Sequence, residues 1–168
     1  TRKTKAVIVP HMFGLPADIR EIVALGVPLI EDCAQSLGSR YEGAPTGSFG
    51  ALSVFSFYAT KVICTGEGGM VAANDRQLLD RIRDLRDYDE KADDRLRYNS
   101  KLTDLQAALG LTQLKKLPAL IGRRRALARQ YDEFIRERLL PVPACPPNRD
   151  HIYYRYVIRT KHVAELLA

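Results

Sequence analysis

Four short, unbroken apolar runs, separated by helical or turn-like pieces, constrain this chain more than any other feature. They are residues 6–9 (Ala-Val-Ile-Val), 27–30 (Val-Pro-Leu-Ile), 51–57 (Ala-Leu-Ser-Val-Phe-Ser-Phe) and 70–73 (Met-Val-Ala-Ala). A strand with one wet face alternates apolar and polar residues, whereas a strand buried on both faces reads as a continuous apolar run. Between the first two runs, Ala17, Ile19, Ile22, Val23 and Leu25 predict a helix over 16–25, with Gly26 as its stop. Asn74-Asp75 caps a further helix on which Leu78, Leu79, Ile82 and Leu85 recur at helical spacing. The pattern predicts an α/β fold: a mixed, mostly parallel sheet with helices on both faces. Residues 38–50 hold four glycines and Pro45 and are expected to be an irregular loop.

The remainder is different in character. Residues 88–98 are heavily charged and read as an exposed or partner-contacting loop. Thr103-Asp104 opens a long helix expected to run, with a break at Pro118, to about Leu139. Pro141, Pro143, Pro146 and Pro147 mark a linker, residues 152–158 a strand rich in tyrosine and arginine, and Val163 the start of another helix. The expected division is a large domain over 1–122, then a long helix, a linker and the start of a smaller α+β domain over 123–168.

At 168 residues, 46% hydrophobic and 27% charged, the composition is that of a globular protein. No apolar run reaches the length of a membrane helix, and the expectation is a cytoplasmic protein with no membrane partner. Cys33, Cys64 and Cys145 have no CxxC spacing, and with His11, His151 and His162 scattered they predict no metal site. They read as buried or idle thiols of a reducing compartment. The net charge of +6 raises nucleic acid as a partner. The bases are nevertheless interleaved with acids, as in Asp80-Arg81-Ile82-Arg83-Asp84, which is the pattern of a solvated helix face. The expectation is therefore no nucleic-acid binding.

Lys61 is the chemically telling residue. It follows an apolar strand and faces the cluster Gly66-Glu67-Gly68-Gly69. An amine in a tight, partly desolvated turn becomes nucleophilic, and such a lysine can form a Schiff base with an aldehyde cofactor. Glu31-Asp32 ends the second apolar run, so a carboxylate stands at another strand tip. One amine and one carboxylate at two strand ends form the poles of a cofactor site.

Five segments carry a resemblance: Glu31-Asp32-Cys33-Ala34-Gln35-Ser36, Gly47-Ser48-Phe49-Gly50, Phe55-Ser56-Phe57-Tyr58-Ala59-Thr60-Lys61, Gly66-Glu67-Gly68-Gly69 and Tyr98-Asn99-Ser100-Lys101-Leu102. Together they resemble the DegT/StrS-type sugar aminotransferases, fold-type-I enzymes that use pyridoxal 5'-phosphate. The resemblance implies that Lys61 holds the cofactor and, once freed, moves a proton between substrate and cofactor carbons. It implies that Asp32 pairs with the pyridine nitrogen, Gln35 with the ring hydroxyl and Ser56 with the phosphate. It also implies that Asn99 reaches the phosphate of a neighbouring subunit, which makes a homodimer with a shared active site. Each position has an ordinary use as well: a surface lysine, a helix-capping Asp32, a capping or solvent-facing Gln35. His11 reads as a second-shell or substrate contact or, more simply, as a satisfied structural histidine.

The implied reaction moves an amino group, from glutamate, onto a keto group of a nucleotide-linked sugar. A sugar dehydratase of the same family is the neighbouring alternative. That branch replaces the lysine with histidine, so Lys61 points to transamination. Val62-Ile63-Cys64 departs from the smaller residues expected after the lysine. The resemblance further implies a fragment of a longer protein, with a phosphate-binding glycine-threonine turn ahead of Thr1 and the end of the small domain beyond the chain. A non-catalytic remnant acting as an interaction domain is the alternative from a different class.

Overall fold

A computed structural model of the chain describes residues 2–137 and 141–167. Strand β1 (Val7–Pro10) leads through a single 3-10 turn (Met12–Gly14) and helix α1 (Ile19–Val23) to strand β2 (Leu29–Asp32). Two short strands follow, β3 (Arg40–Tyr41) and β4 (Ala44–Pro45), and then β5 (Leu52–Ser56) and β6 (Gly69–Ala72). Helices α2 (Arg76–Leu85), α3 (Asp104–Leu114) and α4 (Leu117–Glu137) precede strand β7 (Arg149–Asp150) and helix α5 (Val163–Leu167).

The main sheet has the order β1-β2-β5-β6. β1, β2 and β5 are parallel, and β6 returns antiparallel beside β5. The apolar runs thus become a mixed, mostly parallel sheet, as their continuity requires. Val9, Ile19, Leu29 and Tyr41 form the buried core of its first half, with Val7, Ala17, Ile22 and Phe49 packed around them.

Several expectations are corrected. The second strand lies two residues later than predicted, so Glu31 and Asp32 are inside β2 rather than beyond it. Helix α1 runs only from Ile19 to Val23, because Asp18 ahead of it has a non-helical ψ of 69°; the Ala17 N–H donates to Nδ1 of His11 (3.0 Å). Residues 38–50 are not wholly irregular: β3 pairs with β4 and with β7 in a second, antiparallel sheet. That partner strand comes from the far end of the chain, beyond the reach of local pattern. Residues 152–158 form no strand. Tyr153 takes a left-handed conformation (φ 50°), and the backbone instead donates from Ile152 to Gly14 O and from Arg155 to Phe13 O. The long helix breaks before Pro118, which sits in the first turn of α4, where its missing N–H costs nothing. Its expected end at Leu139 lies outside the described residues.

One buried charge organises the sheet end. Along β2, Leu29 and Glu31 point into the core while Ile30 and Asp32 face the other side and are half-buried. Glu31 is fully buried. Its Oε2 accepts from His11 Nε2 (3.0 Å) and from the Gly47 N–H (2.7 Å), and its Oε1 from the Phe49 and Gly50 N–H groups (2.7 Å each). Because Nδ1 of His11 accepts from Ala17, the ring proton belongs on Nε2, where it is donated to Glu31. Burial pushes the Glu31 carboxyl up, but the His11 and backbone hydrogen bonds together outweigh it and hold the group below its ordinary value. Gly47 makes this possible. Its φ is +92°, and a Cβ there would lie 2.7 Å from Phe55 Cζ.

A carboxyl held low in the folded state adds stability above its unfolded value of about 4.3, and that contribution is lost as pH falls through the folded value. Urea unfolding is therefore expected to show stability falling below about pH 4. In Glu31→Gln this component of the acid dependence should disappear, and stability at neutral pH should fall by roughly 3 kcal/mol, the scale for breaking a buried, hydrogen-bonded charge. An unchanged urea midpoint in Glu31→Gln would refute the assignment.

Candidate active site

Register and alternation bring two of the expected residues to one face. Asp32 pairs with Val54 across the parallel β2–β5 ladder, and Ser56 lies two residues further along β5. Side chains two apart share a face, so Asp32 and Ser56 lie on the same side of the sheet, opposite Glu31 and Ser53. Both stand at the carboxyl ends of their strands, where open α/β sheets bind ligands. Asp32 Oδ1 accepts the Ala34 N–H (2.9 Å), while Oδ2 has no hydrogen-bond partner among the described residues. Ser56 Oγ accepts the Tyr58 N–H at 3.3 Å.

Lys61 closes the turn that follows β5, its N–H donating to Tyr58 O (2.9 Å). The connection from β5 to β6 is stitched by Phe57 N–H to Gly68 O and Thr65 N–H to Phe57 O, both 2.8 Å. Helix α3 braces it from outside. Gln106 Nε2 donates to Glu67 O (3.1 Å), and Gln113 Oε1 accepts the Cys64 N–H (3.3 Å). The start of α3 is secured by a capping box between Thr103 and Gln106. The lysine is half-buried, forms no ion pair among the described residues, and has its Nζ 5.2 Å from the ring centroid of Tyr154.

Gln35 lies just beyond β2, and its Oε1 accepts the Phe13 N–H (2.8 Å). That bond orients the amide and leaves its NH2 as the donor to anything placed beside it. Asn99 stands apart: no hydrogen bond ties it to Asp32, Gln35, Ser56 or Lys61. Its neighbours Tyr98 and Ser100 donate backbone N–H bonds to Leu85 O and Arg86 O at the end of α2. The charged loop before it folds back on α2 through Arg97, whose Nε meets Asp84 (2.9 Å) and whose Nη1 meets Asp93 (2.6 Å). The Arg97 hydrogen bond holds the Asp93 carboxyl down at about 2.

Three features were invisible in the sequence. Glu31 was read only as part of a strand tip, yet it is the buried hub. Tyr154 and Thr60 meet at 3.4 Å between their hydroxyl oxygens from positions 94 residues apart, and no local signal connects them. His11, Glu31 and Cys33 bring their ligand atoms within 4.8 Å of one another, a spacing that suits a metal ion. Those atoms are already engaged, since both His11 nitrogens and both Glu31 oxygens carry hydrogen bonds. Burial pushes the Cys33 thiol up to about 12.

A carboxylate, an amide NH2, a hydroxyl and an amine without an ion pair among the described residues, at or just beyond adjacent strand ends, fit a pyridine nitrogen, a ring oxygen, a phosphate and an aldehyde. The mixed, mostly parallel sheet is that of the fold-type-I aminotransferase structures on which the chain superposes, and the comparisons narrow the family. The chain is 38% identical to GDP-perosamine synthase of Escherichia coli O157:H7, with 98% of this chain and 48% of that protein covered. It is 36% identical to UDP-N-acetyl-3-dehydro-alpha-D-glucosamine 3-aminotransferase of Acidithiobacillus ferrooxidans, covering 95% of this chain and 45% of that protein. Among solved structures, S. venezuelae DesV in complex with a ketimine intermediate superposes with a TM-score of 0.90 at 34% identity, covering 99% of this chain and 47% of that one. The chain spans about half the length of the relatives it matches. Residues 1–168 match the DegT/DnrJ/EryC1/StrS aminotransferase family, and the chain belongs to that family.

The thiols provide a check on the geometry. Cys145 is exposed, Cys64 is intermediate and Cys33 is buried. A disulfide-exchange reagent at pH 8 is expected to modify Cys145 first and to reach Cys33 only after denaturation. Rapid native labelling of Cys33 would contradict the packing around Glu31.

Proposed function

We propose that the protein is a pyridoxal-phosphate-dependent aminotransferase that moves an amino group from an amino-acid donor, glutamate, onto a keto group of a nucleotide-linked sugar. The observation that carries the reading is that Asp32 and Ser56 share one face at adjacent parallel strand ends, with Lys61 in the turn that follows. The two relatives support the substrate class, because one is named for a GDP-linked and the other for a UDP-linked sugar.

In this reading each residue has one task. Lys61 holds the cofactor through its amine, and once displaced that amine takes a proton from one carbon and returns it to another, as base and then acid. Asp32 keeps the pyridine nitrogen protonated. Bound there, pyridoxal phosphate supplies an electron-accepting ring for the pair left when a C–H bond breaks beside the transferred nitrogen. Gln35 donates its NH2 to the ring oxygen, and Ser56 offers its hydroxyl to the phosphate. Asn99 serves the site of a second subunit in a cytoplasmic homodimer. Exposed apolar side chains that flank it in sequence, Leu96, Tyr98 and Leu105, support a covered surface there. Residues 1–122 supply the cofactor-binding part, and residues 123–168 begin the smaller domain.

The test is borohydride reduction of the full chain loaded with pyridoxal phosphate, followed by peptide mapping. The adduct is expected on Lys61 and should be absent in Lys61→Met. Asp32→Asn should still be trapped on Lys61, while its turnover of glutamate with a nucleotide-linked keto sugar falls by about a hundredfold or more. No adduct on Lys61 in the loaded protein would sink the proposal.

A further inference from the structure

Tyr154 is 8% exposed and lies against the lysine turn. Its ring centroid is 5.2 Å from Lys61 Nζ, within the range over which an aromatic face attracts a cation. Its phenol oxygen is 3.4 Å from Thr60 Oγ1, the residue immediately before the lysine. The same ring meets Arg155, whose guanidinium carbon lies 5.3 Å from the centroid. Among the described residues, Lys61, Thr60 and Arg155 are the groups that face the phenol, while Arg124 approaches from α4 to donate to the Tyr154 carbonyl (3.3 Å).

The ring is placed by a tertiary crossing rather than by a regular element. Ile152 N–H donates to Gly14 O (3.1 Å) and Arg155 N–H to Phe13 O (3.2 Å). Phe13 N–H in turn donates to Gln35. Gly14 allows the approach: its φ is +90°, and a Cβ there would lie 2.6 Å from Ile152 Cγ1 and 2.9 Å from Tyr154 N. Arg124 Nη1 clamps the next carbonyl too, that of Tyr153 (3.2 Å). One stretch of backbone thus joins the segment carrying Tyr154 to the segment that orients Gln35.

We propose that Tyr154 is the positioning residue for the Lys61 amine: its ring face is the seat that holds the amine beside the strand ends whenever it is not bonded to an aldehyde, and Thr60 fixes the ring. The inference rests on the reading of Lys61 as the cofactor-holding amine. A lysine side chain is a flexible four-carbon stem, and a freed amine must return to the same carbon at every turnover. A carboxylate in this position would bind the ammonium strongly and oppose loss of its proton. An aromatic face attracts the cation weakly, takes no proton from it and lets it go. The phenol reports on the contact. The Thr60 hydrogen bond holds it below its ordinary range, with Lys61 and Arg155 acting in the same direction against the effect of burial.

The test is NMR of the full chain without added cofactor. The Lys61 ε-methylene signal, identified by its loss in Lys61→Met, is expected upfield of an exposed lysine because it lies over a ring. The displacement should persist in Tyr154→Phe and vanish in Tyr154→Leu. The Tyr154 ring-carbon signal, identified by its loss in Tyr154→Phe, should titrate at higher pH in Lys61→Met than in the parent, because a neighbouring positive charge has gone. A Lys61 signal at the exposed-lysine position in the parent, or a Tyr154 titration unmoved by Lys61→Met, overturns the proposal. The parent, Tyr154→Phe and Lys61→Met decide the matter even if Tyr154→Leu fails to fold. Neither readout involves pyridoxal phosphate. Failed borohydride trapping with both signatures intact therefore removes the cofactor reading and is distinguishable from loss of the Lys61–Tyr154 contact.

Discussion

The buried carboxylate of Glu31 is the interaction on which the sheet end depends. It takes one hydrogen bond from His11 beyond β1 and three from the backbone of the loop before β5. Two separate segments are thereby drawn to one pair of oxygens on a third, β2. A buried charge is tolerable only when its hydrogen-bonding capacity is filled, and here four donors fill it. The same bond fixes Asp32 indirectly, because successive residues of a strand face opposite sides. With Glu31 held inward, Asp32 is held outward.

The rest of the site is built by bracing from outside. Beyond the backbone hydrogen bonds of the Lys61 connection itself, two glutamines of α3 take up backbone groups within it. Gln35 is oriented by the Phe13 N–H, and the neighbouring Gly14 lets the Tyr154 segment pack against it. A chain with a mostly parallel sheet gathers functional groups from distant segments in this way, since its strands are separated by crossovers. The charged loop ahead of Asn99 obeys the same logic. Arg97 is nearly buried between Asp84 and Asp93, so a run that looks merely solvated folds back on α2.

How much was legible differs by residue. The main strands were readable because their residues form continuous apolar runs, although in this chain Ile8 of β1 and Met70 of β6 remain exposed, and Asp75 and Thr103 were readable as caps because their hydrogen bonds are local. Asp32, Ser56 and Lys61 stood out by position and by the family pattern around them. The short strand β7 and the loss of a strand at 152–158 were not readable. Both depend on partners far away: β3 for the first, and the carbonyls of Phe13 and Gly14 for the second. The role of Glu31 was hidden because Glu31-Asp32 offers two adjacent carboxylates, and which of them turns inward depends on which face of β2 is packed, a tertiary outcome that places Leu29 and Glu31 together inside.

The sequence by itself determined the α/β class, the mostly parallel sheet, the family and the candidate amine, because each of these is written in local periodicity or in short motifs. Only the tertiary structure decided which carboxylate is buried, that both nitrogens of His11 are spent, and that Tyr154 lies against Lys61. Those outcomes turn on hydrogen bonds and ring contacts between residues 6 to 94 positions apart. Such contacts leave no periodic trace, and they exist only once strand register and backbone crossings have brought the groups within a few ångströms.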